Sequence, residues 1–259
     1  VSSYEALAQF YDELTEDVDY AAWADFYEEF FRHHTSLEIH TVLDLACGTG
    51  TLTRLLAQRG YEMIGVDKST EMLMEAQEKC MDVAGVRPLF LHQSMDDLDL
   101  YGTIDACVCC LDSVNYVTDP AALQEALRRV QCFLMPGGLM IFDVRTPELF
   151  RSLDGQMFLD EAEDVYCVWR AVFDEKEKVC TYGFDLFERQ KGGLWRRECE
   201  EHNEYAYTRE ELTRYLQEAG FSQVEIYGNC QMRPPVDGED RIVFVAKKDE
   251  LWQMKSYES

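Results

Sequence analysis

The chain has 259 residues, 47% of them hydrophobic, and carries a formal charge of −26 with an isoelectric point near 4.4. That length and apolar content suit one large domain with a sizeable core. The acidic field repels phosphate backbones, and no basic stripe offsets it, because Arg196 and Arg197 are flanked by Glu198, Glu200 and Glu201; nucleic acid is therefore a poor partner.

From the N-terminus, Leu7, Phe10, Tyr11 and Leu14 make one helical face. Asp19 is an N-cap candidate for a second helix. On it Tyr20, Trp23, Phe26, Tyr27, Phe30 and Phe31 recur at helical spacing, a stripe of the kind that packs a core. Val42 to Leu45 then gives a short apolar run suited to a buried parallel strand. Gly48 and Gly50 follow, then Leu52, Leu55 and Leu56 at helical spacing up to Gly60. A strand, a glycine loop and a helix N-terminus together form a nucleotide-type site. The dinucleotide fingerprint requires a third glycine where this chain has Thr53, and here an acid, Asp44, precedes the loop. The bland alternative is an ordinary turn between strand and helix.

Tyr61 to Val66 reads as a second strand ending in Asp67, with Lys68 next and Ser69 as a helix cap ahead of Met72. A carboxylate in that place can accept hydrogen bonds from both hydroxyls of a ribose. Pro88 to His92 is a third strand, leading into Gln93, Ser94, Met95 and Asp96. Ile104 to Leu111 is a buried fourth strand containing Cys107, Cys109 and Cys110. Neighbours on a strand face opposite ways, so these three cannot share a metal; none of the ten cysteines falls at zinc spacing, and buried reduced thiols are expected. Asp112, Asn115 and Tyr116 follow that strand's carboxyl end, where open α/β sheets bind ligands.

Asp119 and Pro120 open a helix that Pro136-Gly137-Gly138 stops, and Leu139 to Phe142 is a fifth strand leading to Asp143 and Arg145. Val165 to Phe173, Val179 to Glu188 and Leu194 to Tyr207 read as three strands of an antiparallel meander. It carries Trp169, Arg170, Tyr182, Phe184 and His202. Thr208 and Glu211 form a capping-box pair for a helix closed by Gly220, and Phe221 to Tyr227 with Arg241 to Ala246 give a last antiparallel pair. No run reads as a signal peptide or membrane span, so a cytoplasmic protein is expected.

The string Asp44-Leu45-Ala46-Cys47-Gly48-Thr49-Gly50 resembles motif I of the class I S-adenosylmethionine-dependent methyltransferases. The L-x-P-G-G-x-x-x-F-D string ending at Asp143 and the Y-T-R-E-E-L-x-x-x-L-x-x-A-G-F string ending at Phe221 resemble the same family. The resemblance implies an α/β fold with a Rossmann-like, seven-stranded, mostly parallel sheet, helices on both faces and an antiparallel last strand. A single domain would then divide into a helical lid over 1–38, a core over 39–146 and 208–248, and an inserted antiparallel substrate wall over 147–207. Some enzymes of this kind dimerise through such an insertion, which makes a homodimer through the inserted strands one expectation.

By the same resemblance, S-adenosylmethionine would be held by Tyr11, Asp44, Ala46, Gly48, Gly50, Asp67, Lys68, Met72, Ser94, Met95, Cys110 and Leu111. Ser94 departs from the pattern, since the family commonly has an aspartate there to accept from the adenine amino group. Tyr4, Asp112, Asn115, Asp143, Arg145 and Trp169 would face the acceptor, with Tyr116 and His202 as the groups nearest the chemistry and His202 as the candidate base. No metal is expected. An acidic mouth built from Asp112 and Asp143 would favour a small polar or cationic acceptor taking the methyl group on nitrogen or oxygen. Two other readings stay open: an RNA- or protein-directed methyltransferase, and a non-catalytic protein that binds S-adenosylmethionine or a nicotinamide.

Overall fold

The structure, a computed structural model, describes residues 18–162 and 164–250. It opens with α1 (Tyr20–His33), capped by Asp19, whose carboxylate accepts from the Ala22 amide at 2.9 Å. The aromatic stripe is core: Trp23, Phe26, Tyr27, Phe30 and Phe31 are all buried, and Phe30 meets Tyr227 edge-on at 4.9 Å. Then come β1 (Thr41–Leu45), α2 (Thr51–Gln58), β2 (Glu62–Asp67), α3 (Thr70–Lys79), β3 (Leu89–His92), β4 (Ile104–Cys109), α4 (Pro120–Phe133) and β5 (Leu134–Arg145). An inserted unit follows, with α5 (Pro147–Leu153), β6 (Met157–Ala162), β7 (Val165–Asp174), β8 (Val179–Arg189) and β9 (Trp195–Tyr205). The chain returns through α6 (Arg209–Ala219), β10 (Phe221–Gly228) and β11 (Arg241–Lys248).

The main sheet has the order β3-β2-β1-β4-β5-β11-β10, parallel except for β11, which runs against both neighbours. This is the Rossmann-like sheet with an antiparallel last strand that the motifs imply. Its central strands are apolar because both faces are covered: Ala106, Cys107, Val108 and Cys109 have no exposure at all. Cys107 and Cys109 belong to one core cluster and Cys110 to the other, as strand alternation requires. All ten cysteines are free thiols. The strand order reverses between β1 and β4, so a crevice opens outside their carboxyl ends. Ser69, Asp119 and Thr208 cap their helices, the last in a full capping box with Glu211.

Two elements differ from the sequence reading. The inserted sheet has four strands in the order β6-β7-β8-β9 rather than three. β6 escapes pattern reading because it is a short edge strand with two acids and little burial, so it shows no alternation. β5 begins at Leu134, not Leu139, with Pro136-Gly137-Gly138 accommodated by a register shift against β4.

The register of the inserted sheet assigns its faces. Trp169 pairs with Phe184, and Tyr182 with His202, so these four share one side with Glu200 and Glu204. Tyr182, His202 and Glu204 are buried there, whereas Met157, Leu159 and Val172 on the opposite face are 59–68% exposed. No helix among the described residues is long and apolar enough to cross a membrane.

Candidate active site

Two adjoining recesses occupy the crevice. The wider, of about 220 Å³, is lined by Ala46, Gly48, Asp67, Lys68, Met72, Ser94, Met95 and Tyr116 among others. The narrower, of about 40 Å³, is lined by Asp44, Ala46, Gly48, Cys110 and Leu111 with Tyr20, Thr49 and Thr51. Ala46, Gly48 and Ser113 belong to both, so the recesses form one groove along the ends of β1, β2 and β4. Ten of the twelve residues expected around a cofactor therefore line one groove. Tyr11, like Tyr4, lies outside the described residues.

Gly50 is the other exception, and its glycine has a different cause. Its φ is +74°, and an added Cβ would come within 2.8 Å of the Ala76 Cβ. Gly50 thus lets the loop turn and lets α2 approach α3, rather than facing a ligand. Gly48, at φ +53°, has open space where its Cβ would stand, and it borders both recesses. Ala46, Leu111 and Asp112 also have positive φ, at 62°, 57° and 52°. Three of the five non-glycine residues with positive φ among the described residues thus lie at the ends of β1 and β4, on the two sides of the groove; Lys178 and Cys230 are the others.

Two carboxylates organise the loop. Asp67 accepts the Gly48 amide on Oδ2 and the Ser69 amide on Oδ1, each at 2.9 Å. Burial raises its pKa, and the amides of Ser69 and Gly48 work against that rise. Each oxygen keeps a lone pair for a further donor. Asp44 is buried and accepts the Thr53 hydroxyl at 2.5 Å. Burial pushes its pKa up to about 7, the Thr53 hydroxyl lowers it, and the nearby Asp67 raises it. In the sequence Thr53 reads only as a missing glycine; its spacing one helical turn beyond the loop is the available signal. Lys79 has no local sequence signal, because its partners are 28 and 30 residues away. From the end of α3 its ammonium donates to the hydroxyls of Thr49 at 2.9 Å and Thr51 at 2.7 Å, which ties down the loop from a distance in sequence.

Thr53→Val should cost about 1–3 kcal/mol at pH 8, where Asp44 is ionised and would lose its hydroxyl donor. The cost should shrink toward pH 6, where the raised pKa leaves Asp44 protonated; denaturant unfolding at the two pH values measures the difference.

The groups beyond β4 and β5 are arranged differently from the sequence expectation. Asn115 is fully buried, donating to the carbonyls of Arg145 at 3.2 Å and Tyr205 at 2.9 Å and accepting the Arg145 amide at 3.0 Å. It stitches the main sheet to β9 and has no side-chain group turned to an acceptor. Asp143 is also fully buried, accepting the Asp112 amide at 2.9 Å and the Arg241 guanidinium. Asp112 takes Arg241 Nη2 at 2.6 Å and stands 3.4 Å from Arg145 Nε. Burial would raise the Asp112 pKa, but Arg145 and Arg241 together hold it below the ordinary carboxylate range. Arg145 continues to Glu204 at 3.3 Å and to the Tyr182 hydroxyl at 3.1 Å. Asp112 and Asp143 are therefore neutralised by arginines and do not make an open acidic mouth.

Around this cluster lies a run of aromatic rings. Tyr116, on the groove wall, meets the His202 ring at 6.0 Å, His202 meets Phe184 at 4.9 Å, and Phe184 lies 6.5 Å from Trp169, which stacks on Phe158 at 4.2 Å. Trp169 donates its ring N–H to Asp160 at 2.8 Å. His202 Nε2 is 3.0 Å from Glu200, and the imidazole is buried rather than open to the groove.

Residues 42–138 match the model of a methyltransferase domain. The chain is 31% identical over 248 residues to the putative methyltransferase YqeM of Bacillus subtilis, covering 95% of this chain and 97% of that protein. It also superposes on an S-adenosylmethionine-dependent methyltransferase from Clostridium acetobutylicum with a TM-score of 0.83, at 30% identity, over 95% of this chain and 99% of that one.

The chain belongs to the class I S-adenosylmethionine-dependent methyltransferases.

It is accordingly an S-adenosylmethionine-dependent enzyme, and the groove of this methyltransferase fits that molecule. Gly48 offers bare backbone that a Cβ would cover, Asp67 has acceptor capacity left, and Met72 and Met95 give apolar surface beside it. The sugar N-methyltransferase KedS8 from Streptoalloteichus shares the methyltransferase's fold, with a TM-score of 0.77 at 24% identity over 96% of this chain and 95% of that one.

Proposed function

We propose that this methyltransferase modifies a nitrogen or oxygen of a small polar acceptor, preferentially an amine, held between the groove and the inward face of the inserted sheet. The aromatic run from Tyr116 through His202 and Phe184 to Trp169 carries the reading. It begins at the groove and continues onto the insertion, with Glu200 and Asp160 along it. Ring faces and carboxylates together attract a cation, so the preference for a cationic acceptor moves from Asp112 and Asp143 to this wall. The likeness to a sugar N-methyltransferase is in keeping with it.

In this reading Asp67 accepts from the ribose hydroxyls, Met72 and Met95 flank the adenine, and Ser94 offers its edge an uncharged acceptor. Ala46 and Gly48 present backbone to the methionine part, with Cys110 and Leu111 opposite. A bound ammonium first releases a proton to water; the lone pair this frees, or that of a hydroxyl, then bonds to the methyl carbon that S-adenosylmethionine supplies as the carbon–sulfur bond breaks, its electrons staying on sulfur. The protein's share is to orient the acceptor and exclude water. Asp67→Asn keeps the shape but loses the charge, and it should weaken S-adenosylmethionine binding by about 10- to 100-fold, measured by calorimetry.

A radiolabelled-methyl screen against small amines, amino sugars, phenols, tRNA and basic proteins tests the proposal. Label in small amines or phenols is the expected result. Label confined to tRNA or to protein would overturn it.

A further inference from the structure

The wider recess is bordered beside Met95 by one loop, Gln93 to Asp99, which follows β3. The loop is braced. The Gln93 side chain donates to the Asp99 carbonyl at 3.1 Å and accepts the Asp99 amide at 3.0 Å, which clamps the two ends together. Leu98 is fully buried, and its carbonyl accepts from Arg129 Nη1 at 3.0 Å. Between the clamped ends Met95–Asp97 forms a single 3₁₀ turn, with the Asp97 amide donating to the Ser94 carbonyl at 3.1 Å. The turn sets Asp96 on the recess together with Gln93, Ser94 and Met95, whereas Asp97 borders neither recess.

Adenine carries an amino group with two N–H donors, and each donor needs an acceptor once it leaves bulk water. The polar side chains on this recess differ in what they can offer. Gln93 uses both ends of its amide on Asp99. Lys68 has no acceptor atom. Ser113 gives its proton to the Cys110 carbonyl at 2.8 Å and borders the narrower recess as well. Tyr116 stands against His202, toward the insertion. Asp67, at the end of β2, serves the ribose. Ser94 has one uncharged oxygen. Asp96 has a whole carboxylate, which enters no hydrogen bond or ion pair among the described residues.

We propose that Asp96 accepts a hydrogen bond from the adenine amino group of S-adenosylmethionine and so determines the enzyme's specificity for that base. This rests on the placement of the adenine between Met72 and Met95 in the reading above. Ser94 takes one N–H of the amino group and Asp96 the other, so Asp96 supplies the charged acceptor that Ser94 cannot. Water at the rim of the recess weakens the bond, because Asp96 is exposed. The bracing of the loop works the other way: the acceptor is already in place, and little freedom is lost when the cofactor enters.

The test is calorimetry with two ligands, S-adenosylhomocysteine and its analogue with hydrogen in place of the adenine amino group. In the parent the amino group should raise affinity about tenfold or more. In Asp96→Ala that advantage should shrink to about threefold or less, through weaker binding of S-adenosylhomocysteine alone, with the analogue bound within about twofold of the parent's affinity. Ser94→Ala should keep the larger part of the advantage. An advantage unchanged in Asp96→Ala would overturn the proposal. So would equal weakening of both ligands, which marks a disturbed loop, or an advantage lost in Ser94→Ala and kept in Asp96→Ala. Asp67→Asn, which probes the ribose, separates this failure from that of the cofactor placement. Its expected loss of affinity beside an unchanged Asp96→Ala overturns the role of Asp96 alone, whereas no loss in either variant sinks the placement as well.

Discussion

Arg241→Met should destabilise the protein by about 3–5 kcal/mol, a large part of the total stability of a domain. Its guanidinium bonds Asp143 and Asp112 at once, and both acids are buried. Removing it leaves two carboxylates facing each other with only Arg145 beside them. Coulomb attraction in such a place is strong, but desolvation is nearly as strong, so the intact cluster adds little net stability while half a cluster is very costly. The sign with pH follows from Asp112, whose pKa the two arginines hold below the ordinary range against its burial. Such a group contributes stability above the ordinary carboxylate range and loses it as pH falls through its folded pKa. Arg241→Met removes much of that contribution. Its deficit should therefore be largest at neutral pH and should narrow in acid, where the stranded carboxylates take up protons. Denaturant unfolding at several pH values measures this. A deficit under about 1 kcal/mol at neutral pH would mean that the cluster is far better solvated than its burial indicates.

The two glycines of the loop should respond in opposite ways. Gly50→Ala adds a Cβ 2.8 Å from that of Ala76 at a φ of +74°. Left-handed strain of about 1–2 kcal/mol and overpacking of about 1–3 kcal/mol together lower the stability of the whole fold. Gly48→Ala, with open space at its Cβ, should cost only the strain. Its methyl group stands in the groove, however, and S-adenosylmethionine affinity should drop about tenfold or more. Thermal unfolding and calorimetry on the two variants separate the effects; equal losses of stability, or unchanged affinity in Gly48→Ala, would remove the distinction.

Much of the fold was legible because its signals are local. The apolar run before Gly48, the Asp19, Ser69, Asp119 and Thr208 caps and the closing Ala219-Gly220-Phe221 each depend on a few neighbouring residues. The groove was legible for a related reason: its lining comes from strand ends, and strand ends are marked by turn residues. What failed was whatever depends on partners distant in the chain. Asp143 and Asn115 do sit at strand ends, but which way they turn is fixed by Arg241 and by the carbonyl of Tyr205, 98 and 90 residues away. The inserted sheet hid its faces until its register was known, since a shift of one residue would have reversed every side chain. Glu204 was invisible for that reason: in the sequence it is one acid among many, and only its place beside His202 on the inward face makes it unusual.

The most direct measurement is a comparison of Phe184→Ala with the parent, using the small amines or phenols that take label in the screen. Phe184 lies on the aromatic wall and outside the groove lining. The expected result is a KM for the acceptor raised about tenfold or more with S-adenosylmethionine affinity within about twofold of the parent's. An unchanged acceptor KM would contradict the placement of the acceptor against the inserted sheet.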